Sequence, residues 1–353
     1  MSNCGSSTCA LEKVLQSIAI SVQEQLENIF IPTSRRAILI AGPTGAGKTE
    51  LSLQLAEMLG GEIVSCDSVQ VYREMDIGTA KVSKQEQARV PHHLIDIRDI
   101  TDPFNVVDFY EAAKAACLDI FIRGKVPIVV GGTGFYFHTL LYGPPRGPPA
   151  NAELRAKLAQ DLEKFGIELL YEKLEEFDPQ YAKTITKGDA HKIVRALEII
   201  EYTGKPVSAF EWKEKKEEGY FDFRAWFVFK PRELLYPILE ARCDEMLKNG
   251  LLEEVVKLDR AGIRKNSTAS QAIGYKQSLD FLDTAQTADD YNRFVEGFKT
   301  ATRHLAKRQF TWFRKEAHFE WLDLSKTSST QAIELIARDY EKGGPREKGS
   351  MSS

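Results

Sequence analysis

The sequence has no C-x-x-C pair. Its five cysteines, Cys4, Cys9, Cys66, Cys117 and Cys243, are scattered over 353 residues. That removes the spacing used by zinc sites and suits a reducing compartment; the last three read as small buried apolar residues. No apolar run approaches the roughly 20 residues that span a bilayer, so no membrane partner is expected. The opening stretch MSNCGSSTCALEK has no basic cluster ahead of an apolar segment. A secretory leader is therefore not expected, and a cytoplasmic setting is. Positive charge is not in excess: the net charge is −4, so any nucleic acid must be held by a local patch and not by an overall field.

Three motif elements are also missing. No aspartate closes the apolar stretch VPIVVGGTG, where phosphoryl-transfer enzymes of the phosphate-loop type hold their Mg²⁺. The base-reading N-K-x-D of GTPases is absent. The G-x-G begun at Gly45 and Gly47 meets Glu50 where a dinucleotide fold needs its third glycine.

What is present begins at residues 37–50, AILIAGPTGAGKTE. Gly42, Gly47, Lys48 and Thr49 fit G-x-x-x-x-G-K-[ST], and Pro43, Thr44, Gly45 and Ala46 fill the loop between them. A short apolar strand precedes the loop. Leu51, Leu55, Met58 and Leu59 follow at helical spacing. Inward-facing backbone N–H groups and a helix N-terminus hold an anion; Lys48 would reach a terminal phosphate and Thr49 would hold Mg²⁺. The motif does not say whose phosphate it holds.

With 43% hydrophobic and 28% charged residues, the chain suits one large globular domain with an insertion, or two domains. Strands are expected at 37–41, 62–66, 93–97 and 126–130, with helices at 48–59, 105–123 and 134–142. That alternation predicts an α/β fold, a P-loop NTPase-like parallel sheet flanked by helices. Ligands of such sheets sit at the carboxyl ends of the strands, where the loop, Asp67 and Gly131-Gly132-Thr133 fall. The proline-rich GPPRGPP at 143–149 interrupts the pattern. Leu154, Leu158, Leu162, Phe165, Leu170 and Leu174 then predict helix, and a second helix runs from an Asp189 cap to Tyr202. Residues 146–215 are read as an all-helical insertion in a core of 36–145 and 216–342. Strand character returns at 221–229, and helices are expected at 231–249, 251–261 and 288–315. Residues 1–35 form an N-terminal extension in which 11–30 could be an amphipathic helix. Residues 343–353 read as a disordered tail.

Asp67 ends a buried-type strand and so lands beside the loop. It could take a proton from a nucleophile or hold a metal-bound water; an N-cap or turn aspartate is the plainer alternative. Ser68, Gln70 and Tyr72 follow on a polar stretch that could read a base edge. Segment 299–315, KTATRHLAKRQFTWFRK, holds six Lys/Arg and no acid, with Phe310, Trp312 and Phe313 interleaved. Such a mixture suits a nucleic-acid backbone and unstacked bases, or simply a solvated helix face. Lys183, Lys187, His191, Lys192 and Arg195 make a second basic group; His191 and Arg195 share a helix face.

Taken together, GPTGAGKTEL, EIVSCDSVQVYREMDIGTAK, PHHLIDI, IVVGGTGFYF, HKIVRALEI, SQAIGYKQ and AKRQFTWFR run in the order found in the bacterial tRNA dimethylallyltransferases. From about residue 36 to 325 the chain resembles that family; residues 1–35 lie outside the resemblance, and Cys66 stands where members often have Val or Ala. The resemblance implies transfer of a dimethylallyl group from its diphosphate to N6 of the adenine 3′ of the anticodon, in tRNAs reading codons that begin with U. It implies Asp67 as the base, and Lys48, Arg242 and the loop as diphosphate ligands, with Mg²⁺ at Thr49. It further implies that Asp67, Ser68, Val69 and Gln70 line the channel for the base. Thr133, Arg155, His191, Lys192, Ile193, Val194, Arg195, Gln271, Ala272, Ile273, Gly274, Tyr275 and Lys276 would contact tRNA, with the insertion gripping the anticodon stem. A monomer is expected. Two other activities share the loop: isopentenylation of free AMP, ADP or ATP, and nucleotide phosphorylation by ATP. A nucleic-acid-binding module without catalysis is the reading from another class, against which the placement of Asp67 argues.

Overall fold

A computed structural model describes residues 35–145, 147–210 and 221–342. The expected helix at 11–30, the tail from 343, and residues 211–220, which hold the end of the insertion and the first residues of the returning core, lie outside those residues. Strands are β1 (Arg36–Ala41), β2 (Glu62–Cys66), β3 (His92–His93), β4 (Pro127–Gly131), β5 (Asp222–Phe229) and β6 (Glu320–Asp323). They form one sheet in the order β3-β2-β4-β1-β5-β6, every pairing parallel. Helices are α1 (Lys48–Leu59), α2 (Lys84–Arg89), α3 (Val106–Ile122), α4 (Gly134–Tyr142), α5 (Ala152–Phe177), α6 (Pro179–Ala182), α7 (Ala190–Thr203), α8 (Arg232–Lys248), α9 (Leu251–Ala261), α10 (Ser267–Ser270), α11 (Tyr275–Leu282), α12 (Ala288–Phe313) and α13 (Ser329–Lys342).

β1 is apolar on both faces because both are covered. Ile38 and Ile40 join Trp226 and Val228 of β5 in the core under α1 and α13. Ala37, Leu39 and Ala41 join Ala225 and Phe227 in the larger core on the other face, with residues of α3, α4, α8, α9 and α12. Residues of the insertion have a third core of their own, including Leu158, Leu174, Ile193 and Leu197.

Two expectations need correction, and one strand is not expected from the sequence. The strand expected at 93–97 is cut to His92–His93, because Leu94 and Asp96 take left-handed φ of 63° and 57° and turn the chain. Lys81 holds that turn, its ammonium 2.6 Å from Asp96 and 2.6 Å from Asp76. The helix through 154–174 breaks at Gly166 (φ 82°, ψ 168°), which rotates Phe165 out of the core to 49% exposure. β6 adds a strand that the sequence pattern does not announce: its four residues are too few to show a period.

Candidate active site

The carboxyl ends of β1, β2 and β4 open into a cavity of about 780 Å³. Gly45 and Gly47, at φ 75° and 100°, give the loop after β1 the left-handed turns that other residues resist, and Lys48 opens α1. Lys48 Nζ donates to Gly42 O and Pro43 O, each at 2.9 Å. Its pKa is lowered to about 8, first by burial and then by the Arg242 guanidinium, against the pull of Asp67. Arg242, projecting from α8, also lines the cavity. Among the described residues it has no ion-pair or hydrogen-bond partner, and burial lowers its pKa. A half-buried, unpaired guanidinium beside a phosphate loop awaits an anion.

Asp67 follows β2 and walls the same cavity. Its Oδ1 accepts from the backbone N–H of Val69 at 2.9 Å and of Gln70 at 3.3 Å. The plainer reading is thus also true: it is a turn aspartate. Its Oδ2 accepts no hydrogen bond from the described residues. Burial raises its pKa, and the two N–H groups, Lys48 and Arg242 act against that rise. A carboxylate so placed is a better base than an exposed one.

Ser68, Val69, Gln70, Thr133, Gln271, Ala272 and Ile273 all line the cavity. Gln70 is tied within the protein, its amide bonded to Ser65 Oγ at 3.1 Å and Thr79 O at 3.3 Å. Tyr72 is fully buried, which corrects its expected role in reading a base edge. Gly274 and Tyr275 are buried at the start of α11; the Tyr275 hydroxyl donates to Glu254 Oε1 at 2.6 Å. Tyr275 is therefore a wall of the cavity whose hydroxyl proton is committed to Glu254, while Lys276 is paired with Asp280 at 3.0 Å.

The insertion residues are not part of this cavity. Arg155 and Arg195 each lie 2.9 Å from the buried carboxylate of Glu198, and Arg195 also donates to Pro148 O at 2.5 Å. Ile193 is fully buried in the insertion's own core, so its side chain serves packing and presents nothing to RNA. Val194 is half-buried against that core. His191 and Lys192 are exposed, Lys192 in an ion pair with Asp189 at 3.0 Å.

Two residues of the site are not singled out by the sequence. Gln309 of α12 accepts from Thr44 N at 3.1 Å and donates to Gly132 O at 3.0 Å, pinning the phosphate loop to the loop after β4. Glu254 of α9 accepts from the N–H groups of Asp76, Ile77 and Gly78 at 2.8–3.2 Å. It holds the polar segment that follows Asp67. Their partners lie 265 and about 177 positions away in the chain, a separation that no local pattern encodes.

This cavity puts a phosphate loop, an arginine with no partner among the described residues and a half-buried carboxylate together, and similarity to known proteins agrees. The IPP transferase family model matches residues 70–316. The chain belongs to that family. It is 53% identical to the tRNA dimethylallyltransferase of Protochlamydia amoebophila over 95% of this chain and 97% of the relative. It is 50% identical to that of Chlamydia abortus over 92% and 94%. The first of these matches spans 334 residues, so it reaches into the segment before β1, which carries none of the motifs on which the resemblance rests. Among solved structures, the tRNA isopentenylpyrophosphate transferase of Bacillus halodurans matches with TM-score 0.63 and 36% identity, over 88% of this chain and 98% of its own. A eukaryotic dimethylallyltransferase described as acting on tRNA matches with TM-score 0.73 and 29% identity, over 89% and 82%. No described helix is long and apolar enough to cross a membrane.

Proposed function

We propose that the protein is a tRNA dimethylallyltransferase. It moves the dimethylallyl group of dimethylallyl diphosphate to N6 of the adenine immediately 3′ of the anticodon, in tRNAs that read codons beginning with U. The observation that carries this reading is the shared cavity: Asp67, with its raised pKa, faces the same space as the phosphate loop, Lys48 and the unpaired Arg242. The C–O bond to diphosphate breaks with its electron pair on the leaving group, the N6 lone pair forms the C–N bond, and the N6 proton passes to Asp67 Oδ2. An adenine amine is a weak nucleophile, so the rate rests on positioning and on stabilising the charge that grows on diphosphate. Lys48, Arg242 and the loop N–H groups offset that charge. The base must leave its stack to reach Asp67, past Ser68, Val69 and Gln70.

Mg²⁺ fits here in the way it fits phosphate loops generally. Thr49 lines the cavity, and Mg²⁺ needs few protein ligands when substrate oxygens and waters complete its shell. No cluster of three His, Cys, Asp or Glu suited to a metal exists among the described residues, so the ion would rest on Thr49 and the diphosphate, whose charge it would offset. We read the protein as acting on tRNA in the cytoplasm, as a monomer.

The test is transfer of labelled dimethylallyl diphosphate to tRNA or to AMP, followed by mass analysis of the nucleosides. N6-dimethylallyl adenosine is expected from tRNA and not from AMP. Label on AMP alone, or ADP formed from ATP without alkylation, would overturn the reading. Asp67→Ala is expected to slow single-turnover transfer at saturating tRNA by ~10²–10⁴-fold, the range for loss of a general base, while tRNA affinity changes little. Near wild-type turnover would remove Asp67 from the mechanism.

A further inference from the structure

The backbone that follows Asp67 forms a strap over residues 74–80, and the strap is strained. Glu74 and Ala80 take left-handed φ of 66° and 47°, which residues other than glycine keep only where surrounding contacts hold them. Gly78, Thr79 and Ala80 line the cavity. The strap rests on the ring of Tyr275: a Cβ at Gly78 would lie 2.5–2.7 Å from two atoms of that ring, so only glycine lets the two surfaces meet.

Glu254 of α9 supplies the holding contacts. Its Oε2 accepts from the N–H groups of Asp76 at 3.1 Å and Ile77 at 2.8 Å. Its Oε1 accepts from the Gly78 N–H at 3.2 Å and the Tyr275 hydroxyl at 2.6 Å. Three successive N–H groups that converge on one anion make a nest. Glu254 is half-buried and has no ion-pair partner among the described residues, so these four donors are what satisfy its charge. No residue of α9 lines the cavity, and Glu254 can reach the chemistry only through its partners.

From the strap the hydrogen bonds run on to the base. Thr79 O accepts from Gln70 Nε2 at 3.3 Å, and Gln70 Oε1 accepts from Ser65 Oγ at 3.1 Å. Held at both ends of its amide, Gln70 gives its backbone N–H to Asp67 Oδ1 at 3.3 Å. Lys48 and Arg242, the charged groups that face Asp67, come from α1 and α8. Among the described residues neither is bonded to Glu254, the strap or Gln70.

We propose that Glu254 is a positioning residue for the transfer step: through the strap and Gln70 it fixes the Asp67 carboxylate so that Oδ2 meets the target amine. The proposal rests on the dimethylallyl-transfer reading above and adds to it a residue that lies outside the cavity. Such support matters because a misplacement of about 1 Å costs on the order of a hundredfold in rate.

The test is single-turnover transfer to an anticodon stem-loop RNA with both substrates saturating, alongside Kd for dimethylallyl diphosphate and thermal melting. Glu254→Gln is nearly isosteric, but it has one acceptor oxygen where the nest and Tyr275 use two. Its transfer rate is expected to fall by about ten- to a hundredfold. Its Kd for dimethylallyl diphosphate should not move, because Gln309 and not the strap tethers the phosphate loop. Burial raises the Asp67 pKa, and the N–H groups of Val69 and Gln70 hold it down. Loosening Gln70 should therefore move the acid limb of the pH–rate profile to higher pH. In a double-mutant cycle with Gln70→Ala the two losses should not add, since both break the same run of bonds. A folded Glu254→Gln variant with the wild-type rate overturns the proposal. So does a rate loss matched by weaker diphosphate binding, and so do losses that add in full; either makes Glu254 a general support of the fold. Should Glu254→Gln fail to fold, Tyr275→Phe, which removes one donor to Glu254, decides by the same measures, with a loss of about fivefold or more expected. Wild-type transfer to the same RNA is followed in parallel. Transfer that is insensitive to Glu254 removes the positioning role alone; no transfer by the wild type removes the functional reading, and this role with it.

Discussion

Lys48 sits where a small change in pH changes the charge offered to the diphosphate. Burial and Arg242 lower its pKa to about 8, so the ammonium predominates below pH 8 and is lost as pH rises through that value. Affinity for dimethylallyl diphosphate should therefore fall above pH 8, by up to about tenfold per pH unit if only the charged form binds. A bound diphosphate favours the ammonium, so binding at about pH 9 should also take up a proton. Calorimetric titration from about one pH unit below that pKa to about one and a half above it, in two buffers of different ionisation enthalpy, reads both quantities. Lys48→Arg, which cannot deprotonate in this range, should flatten the profile. A flat profile in the wild type would mean that Lys48 keeps its charge and that the loop, not the lysine, sets affinity. The residues of this argument differ in how far the sequence reveals them. Lys48 and Asp67 are legible because each closes a local pattern: the phosphate-loop motif for one, the polar end of an apolar strand for the other. Arg242 has no such frame in LEARCDEML, and only the family resemblance singles it out. Its half-burial, and the lack of a partner among the described residues, follow from how α8 packs, which no window of sequence displays.

Among the elements, α12 does the most to shape the site. Phe298, Thr302, Leu305, Gln309 and Trp312 recur at helical spacing and all line the cavity, so one face of one helix runs along it. The basic charges of the same segment point to nucleic acid, but charge alone does not say that Gln309 bridges two loops. Gln309→Ala removes an acceptor from Thr44 N–H and a donor from Gly132 O, two bonds worth about 0.5–1.5 kcal/mol each. The expected outcome is a loss of about tenfold or more in kcat/KM for dimethylallyl diphosphate, since small displacements of positioning groups are costly. Gln309→Glu keeps the acceptor but brings negative charge to a phosphate site, and should be worse than alanine. Steady-state kinetics on both variants checks the order; a glutamate variant as active as wild type would show that Gln309 does not act on the loop. The central strands and long helices are readable because their periods persist over a turn or several residues. β3 is overestimated from sequence because its apolar run continues through two left-handed residues, Leu94 and Asp96, that only tertiary contacts with Lys81 and the 70–71 backbone explain.

For the whole molecule the question is how a chain of net charge −4 holds an anionic RNA. The answer must lie in cations not already committed to carboxylates, and the insertion shows why counting basic residues misleads. The resemblance implies that Arg195 contacts tRNA, and pairing with Glu198 or Glu201 along its helix is the alternative; in the structure it is half-buried against Glu198 and Pro148. Glu198, itself buried, also takes Arg155 and the Asn151 N–H at 2.6 Å. Burial pushes its pKa up, but these bonds outweigh that effect and hold it below the usual carboxylate value. Removing Arg195 leaves that carboxylate under-satisfied. Arg195→Ala is expected to cost about 1–3 kcal/mol of stability while leaving the salt dependence of tRNA binding nearly unchanged. Lys183 and Lys192 behave in the opposite way, because both are exposed and the Lys192–Asp189 pair is a surface pair worth little. Replacing both with alanine should leave the melting temperature in place. It should also reduce the slope of log K against log salt by about 1.4–1.8, at about 0.7–0.9 for each phosphate that is no longer neutralised. Thermal melts and salt titrations on the same preparations separate the two behaviours. If the double lysine variant keeps the wild-type slope, the insertion does not grip the RNA backbone through these residues, and the electrostatic hold lies with other exposed cations, among them Lys307, Arg308, Arg314 and Lys315, which have no ion-pair partner among the described residues.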